Sequence, residues 1–175
     1  ALGADDPITL AALGSVGFIA MQLGEYEEAE AAYKEALAGW RRTDPDSKEA
    51  LDLMSNYAVL LTRQQRREEA EPIYADIIER YRRKLGPEHP ETLLAMANLA
   101  AHFNQTNRPA KAIPLLRGVL DAQRRVLGET HSKTLITHNN LAVGLSNLGE
   151  REEGERLIRE GLRLAEGAYG PEGPS

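Results

Sequence analysis

Three asparagines stand in register along this chain. Asn56, Asn98 and Asn140 are 42 residues apart, and Ser15 lies 41 residues before the first. An amide both donates and accepts hydrogen bonds. Such a series can grip the backbone of an extended peptide, or it can fasten one segment of its own chain to the next. Both readings stand at the level of sequence. Asn is a mediocre helix former, so three copies on helices ask for a reason of one kind or the other. Seven residues further on lie Gln22, Arg63, Gln105 and Asn147. Seven residues are two helical turns, so this second polar series shares a face with the first; it reads either as part of a binding wall or as a solvated helix face. Asn56, Asn98, Asn140, Arg63, Gln105 and Asn147 are the candidate binding residues.

Other chemistry is poorly supplied. The Arg pairs Arg41-Arg42, Arg82-Arg83 and Arg124-Arg125 recur at the same interval and stop at Glu166-Gly167. Cations at helix C-termini are stabilised by about 0.3–1 kcal/mol each, which accounts for them without a ligand; a basic edge for an acidic partner is the alternative. His89 and His131 share a position with Asp6 and Ser47, while His102 and His138 have no second ligand one turn away. No metal site is expected. There is no Cys, hence no disulfide, thiolate ligand or cysteine nucleophile. No Gly-rich phosphate loop and no nucleophile with an orienting base occur, so neither a cofactor nor an enzymatic activity is expected. The net charge of −6 and the sparse aromatics, 5% of residues, argue against nucleic acid and anionic membranes as partners. No apolar run approaches a membrane span, and Ala1 to Pro7 lacks the basic start and apolar centre of a secretory leader. A cytoplasmic protein is expected.

The elements that must position these residues follow from an internal repeat. Leu85-Gly86-Pro87-Glu88-His89-Pro90-Glu91-Thr92-Leu93 returns as Leu127-Gly128-Glu129-Thr130-His131-Ser132-Lys133-Thr134-Leu135. The phrase appears earlier at Leu2 to Leu10, in degenerate form at Asp44 to Leu51, and restarts at Tyr169-Gly170-Pro171-Glu172. Thr9, Ala50, Thr92 and Thr134 give steps of 41, 42 and 42, and the same register aligns Gly24, Gln65, Asn107 and Gly149. Within a repeat, Leu93, Met96, Leu99, Ala100 and Phe103 have helical spacing, as do Ala112, Leu115, Leu116, Val119 and Leu120 after a polar break. The spacing predicts helices near 6–23, 26–42, 47–64, 67–84, 89–106, 109–126, 131–148 and 151–168. Asp5, Asp46, Glu88 and Thr130 are the expected N-terminal helix caps, and Gly24, Asn107 and Gly149 the left-handed terminators. Pro72 and Pro114 share a position early in second helices, where a local bend is expected and not an end.

The small and large residues Gly17, Gly24, Tyr26, Ala29, Tyr33 and Ala36 resemble the tetratricopeptide signature. Leu-Gly-x-x-His-Pro-x-Thr-Leu, Asn98-Leu99-Ala100, Asn140-Leu141-Ala142 and Glu27-Glu28-Ala29-Glu30 make the variant similar to the 42-residue repeats of kinesin light chains. The resemblance implies an all-α tetratricopeptide-repeat solenoid, four helix-turn-helix repeats forming a right-handed superhelix. Its repeats would span about 2–43, 44–84, 85–126 and 127–168, one array over 1–170, with 169–175 opening a degenerate or truncated fifth. It also implies that the Asn series grips peptide on a concave wall of first helices.

The expected function is therefore a non-enzymatic module that binds a protein or peptide segment in its groove. Two alternatives remain: a regulatory array belonging to a larger signalling protein with an ATPase or protease effector, and a self-assembling scaffold. Stacked repeats bury their faces on neighbours. The last helix carries Leu157, Ile158, Leu162 and Leu164 with Gly154 and Gly161. It is expected to be the least stable element of a truncated array, with an apolar side open to end-to-end self-association.

Overall fold

The computed structural model describes residues 3–170. Among them are eight helices and no strand: α1 Pro7–Leu23, α2 Tyr26–Thr43, α3 Lys48–Arg63, α4 Arg67–Leu85, α5 Pro90–Gln105, α6 Pro109–Val126, α7 Ser132–Leu148 and α8 Arg151–Tyr169. Every boundary lies within one residue of the sequence expectation. Pro72 and Pro114 sit inside α4 and α6, which continue through them.

The first-helix starts correct the expected caps by one position. Asp6, Ser47, His89 and His131 are the N-caps. Each holds an extended backbone and turns a side-chain acceptor onto the first turn. Asp6 Oδ1 accepts from the Ile8 N–H at 2.9 Å, and Ser47 Oγ from the Ala50 N–H at 3.2 Å. His89 Nδ1 accepts from the Glu91 N–H at 3.2 Å, and His131 Nδ1 from the Lys133 N–H at 3.1 Å. The shared His position is thus a capping position. Thr92 and Thr134 complete the phrase: their hydroxyls donate to the Gly86 and Gly128 carbonyls at 2.8 Å, and both glycines lie at φ +94°.

The displaced acids have another task. Arg42 donates to both carboxylate oxygens of Asp5, and Arg125 to Glu88. Each ties the end of a second helix to the loop before the first helix of the same repeat. In the fourth repeat Thr130 and Gly167 replace both partners. The Arg pairs therefore read as intramolecular ties in the repeats where these contacts are seen.

Contacts divide the chain into two compact units, one ending at Arg80 and one beginning at Tyr81. In the first, α1 packs on α2, and α3 packs on both. Leu10, Met21, Tyr33, Leu37, Trp40 and Leu60 are buried in its core. Gly17 is required there: a Cβ would stand 2.7 Å from the Tyr33 ring and 3.2 Å from the Ala29 carbonyl oxygen. In the second unit α5, α6, α7 and α8 pack in sequence, and α5 also touches α7. Leu116, Leu120, Leu141, Leu145 and Leu157 belong to its core. On α5 Leu99 is only half buried, and the adjacent Ala100 takes the innermost position.

Candidate peptide-binding groove

In the first unit α1 and α3 form the two sides of a groove of about 450 Å³. Trp40 of α2 contributes to its lining, with Phe18 and Ile19 on α1 and Glu49, Asp52 and Asn56 on α3. Phe18 and Ile19 are exposed although apolar. Asn56 is half buried, and among the described residues its side-chain amide has no hydrogen-bond partner. Ser15, its counterpart on α1, lines the same groove and donates to the Ala11 carbonyl at 3.1 Å. Asp52 accepts from Lys48 Nζ at 2.7 Å, whereas Glu49 is exposed and has no ion pair among the described residues.

The polar series seven residues on is partly consumed by the fold. Arg63 donates to Gln22 Oε1 and to the Met21 carbonyl, each at 3.4 Å, so it joins α3 to α1. Gln105 and Asn147 are exposed.

In the second unit Asn98 and Asn140 are half buried on α5 and α7. One bond between the third and fourth repeats comes from a residue outside the predicted series: Asn104 Nδ2 donates to the Asn140 backbone carbonyl at 2.9 Å. Gly144 admits that contact, since a Cβ there would lie 3.0 Å from Asn104 Oδ1. His102 is buried and meets Arg108 at 3.1 Å, as a packed core residue would.

Electrostatics concentrate at the junction of the first two repeats. Glu30 is bonded by Arg66 at 2.6 Å and Lys34 at 2.7 Å and accepts from the Tyr57 hydroxyl at 3.2 Å. The Arg66 hydrogen bond, aided by Lys34 against the cost of burial, holds the Glu30 carboxyl down at about 2. This network was invisible as a motif because its members come from α2, α3 and the turn before α4. Among the described residues no group of three or more His, Cys, Asp or Glu is placed to hold a metal ion. No described helix is long and apolar enough to cross a membrane.

A tetratricopeptide-repeat family model matches residues 49–125, and a second of the same description matches 9–43 and 134–175. The chain belongs to the tetratricopeptide-repeat family. No curated protein matches its sequence. Two crystal structures of the nearly identical TPR-like repeats assigned to a kinesin light chain of Podosopora anserina are similar to it. They share 21% and 20% identity, have TM-scores of 0.80 and 0.78, and are matched over 95% of this chain and 79% and 80% of theirs. BtubC (BKLC) of P. vanneervenii is similar at 19% identity and a TM-score of 0.63, over 97% of this chain and 87% of that one. Tetratricopeptide repeats generally serve protein–protein interaction and are typically non-enzymatic. In tetratricopeptide terms, the groove lies on the first helices, where the sequence places the Asn series.

Proposed function

We propose that this tetratricopeptide array is a non-enzymatic, cytoplasmic interaction module that takes an extended peptide segment of a partner protein along its first helices. One observation carries the binding reading: Asn56, a half-buried residue whose amide has no internal partner among the described residues, stands on a groove whose α1 side exposes Phe18 and Ile19. The donor and acceptor of an amide that the fold does not use are available to a peptide carbonyl and N–H. The apolar lining suits one apolar side chain of the segment, and Glu49 and Asp52 favour a Lys or Arg beside it. Asn98 and Asn140, with the exposed Gln105 and Asn147, are the proposed counterparts in the second unit; Arg63 contributes from its tie to Gln22.

A peptide library selected on the chain and measured by calorimetry tests this. Asn56→Ala should weaken the selected peptide about tenfold, the equivalent of one net hydrogen bond or slightly more. Its melting temperature should not move. Unchanged affinity, or a loss of stability of that size in the free chain, would show that the amide serves the fold and not a ligand.

A further inference from the structure

Glu49, Asn56 and Arg63 stand at seven-residue intervals on α3. Seven residues are close to two turns, so the three share a stripe that drifts by only about 20° per interval. At a rise of about 1.5 Å per residue, the acid and the base are about 21 Å apart along the helix, with the amide midway. Among the described first helices, α3 alone carries opposite charges at these two ends. The same positions hold Ile8, Ser15 and Gln22 on α1, Glu91, Asn98 and Gln105 on α5, and Lys133, Asn140 and Asn147 on α7.

The fold neutralises neither charge. Glu49 is exposed and has no ion pair among the described residues, while its neighbour Asp52 is matched by Lys48 at 2.7 Å. Glu91, the counterpart of Glu49 on α5, has Lys133 at 3.7 Å. Arg63 is exposed too, and among the described residues its hydrogen bonds go to neutral acceptors. They are Gln22 Oε1, at 3.4 and 3.5 Å, and the Met21 carbonyl at 3.4 Å. Burial pushes the Tyr33 phenol up to about 12, against the pull of Arg63, so it supplies no negative charge at neutral pH. The helix dipole favours an acid in the first turn and a base in the last, but it gives neither a partner.

An extended peptide rises about 3.3 Å per residue, and alternate side chains point the same way. Six residues therefore span about 20 Å, the separation of Glu49 from Arg63. Six is also even, so the first and seventh side chains face one side together. On the peptide-binding reading of this groove, we propose that α3 selects a segment carrying Lys or Arg at one position and Asp or Glu six residues away. The cation lies against Glu49, the anion against Arg63, and the Asn56 amide holds the backbone between them. Either chain direction satisfies the pattern, so the pairing and the spacing are what the helix reads.

A pool of acetylated, amidated heptapeptides tests this, with Lys, Glu or Gln at positions 1 and 7 and random residues between. Capture on the immobilised chain is read by sequencing at low ionic strength, where exposed charges act furthest. Peptides with one Lys and one Glu should be enriched about tenfold over those with two Gln, the effect of two exposed ion pairs. A second pool with the charged positions three apart should show no such preference. Arg63→Glu should move the preference to Lys at both ends, and Glu49→Lys to Glu at both ends. Should either variant lose its helical circular dichroism, Arg63→Gln and Glu49→Gln should each abolish the preference at one end only. Asn56→Ala should lower capture of every peptide alike. Equal capture of mixed-charge and Gln peptides, with Asn56→Ala still lowering both, overturns the charge pattern and leaves the groove standing. Capture that ignores Asn56→Ala, or no capture at all, overturns the groove and the pattern together.

Discussion

The two first-helix walls, α1 with α3 and α5 with α7, are built from the same repeat positions and finished differently. On the first, Asn56 is left unpaired beside exposed Phe18 and Ile19. On the second, Asn104 crosses to the Asn140 carbonyl and Gly144 closes up to it. The helix starts differ too: Asp6 and Ser47 cap the first wall, while His caps and Thr-to-Gly bonds close the second. A repeat register fixes where a residue stands. What it does there depends on what the neighbouring repeat offers.

The largest effect that would sharpen this contrast comes from glycines. Gly17→Ala in the first unit drives a methyl into the Tyr33 ring and the Ala29 carbonyl, and should cost about 1–3 kcal/mol. Gly118→Ala in α6 of the second unit meets nothing within 4 Å and should gain up to about 1 kcal/mol from helix propensity. Urea denaturation of both variants measures the difference. Equal effects would mean that the α1–α2 contact makes room for a methyl at position 17.

Acid should separate the units next. Burial pushes the His138 imidazole below its ordinary value of 6.5, opposed by Glu160 and reinforced by Arg124. A base depressed in the folded state contributes stability that is present above about 6.5 and is lost as pH falls through its folded value. Glu30 is lowered from 4.5 to about 2, so its contribution holds above 4.5 and disappears only as pH falls towards 2. Between pH 7 and 5 the second unit should weaken while the first holds. His138→Leu should reduce the accompanying fall in melting temperature; an unchanged fall would remove His138 from the account.

A smaller effect tests the helix ends. Gln65 adopts φ 62° and Asn107 φ 57°, at the position where Gly24 and Gly149 stand at 83° and 99°. Left-handed backbone is costly for Gln and better tolerated by Asn. Gln65→Gly should stabilise by about 0.5–1 kcal/mol, and Asn107→Gly by a few tenths, on melting. The reverse order would show that Gln65 makes a contact outweighing its strain.

The helices were legible because many columns repeat at one interval, and no local ambiguity survives agreement in four copies. The caps lie one residue later than expected, at Asp6 and Ser47 as well as at His89 and His131, where an imidazole nitrogen accepts as a side-chain oxygen would. The Arg42–Asp5 and Arg125–Glu88 ties had left a signal: the acid and the Arg vanish together at Thr130 and Gly167. The role of the Asn series was not legible, since an amide suits a peptide and a neighbouring helix equally well. Nor was the open face of α1, because a helix that is apolar all round reads as core.

The central claim is that the first wall, at Asn56, receives the partner segment. An amide-resolved NMR titration of the chain with a selected peptide tests it most directly. The account predicts that the Asn56 side-chain NH2 signals shift on saturation, together with backbone signals of Ser15, Phe18 and Ile19. Shifts confined to α5 and α7, with Asn56 unmoved, would contradict it.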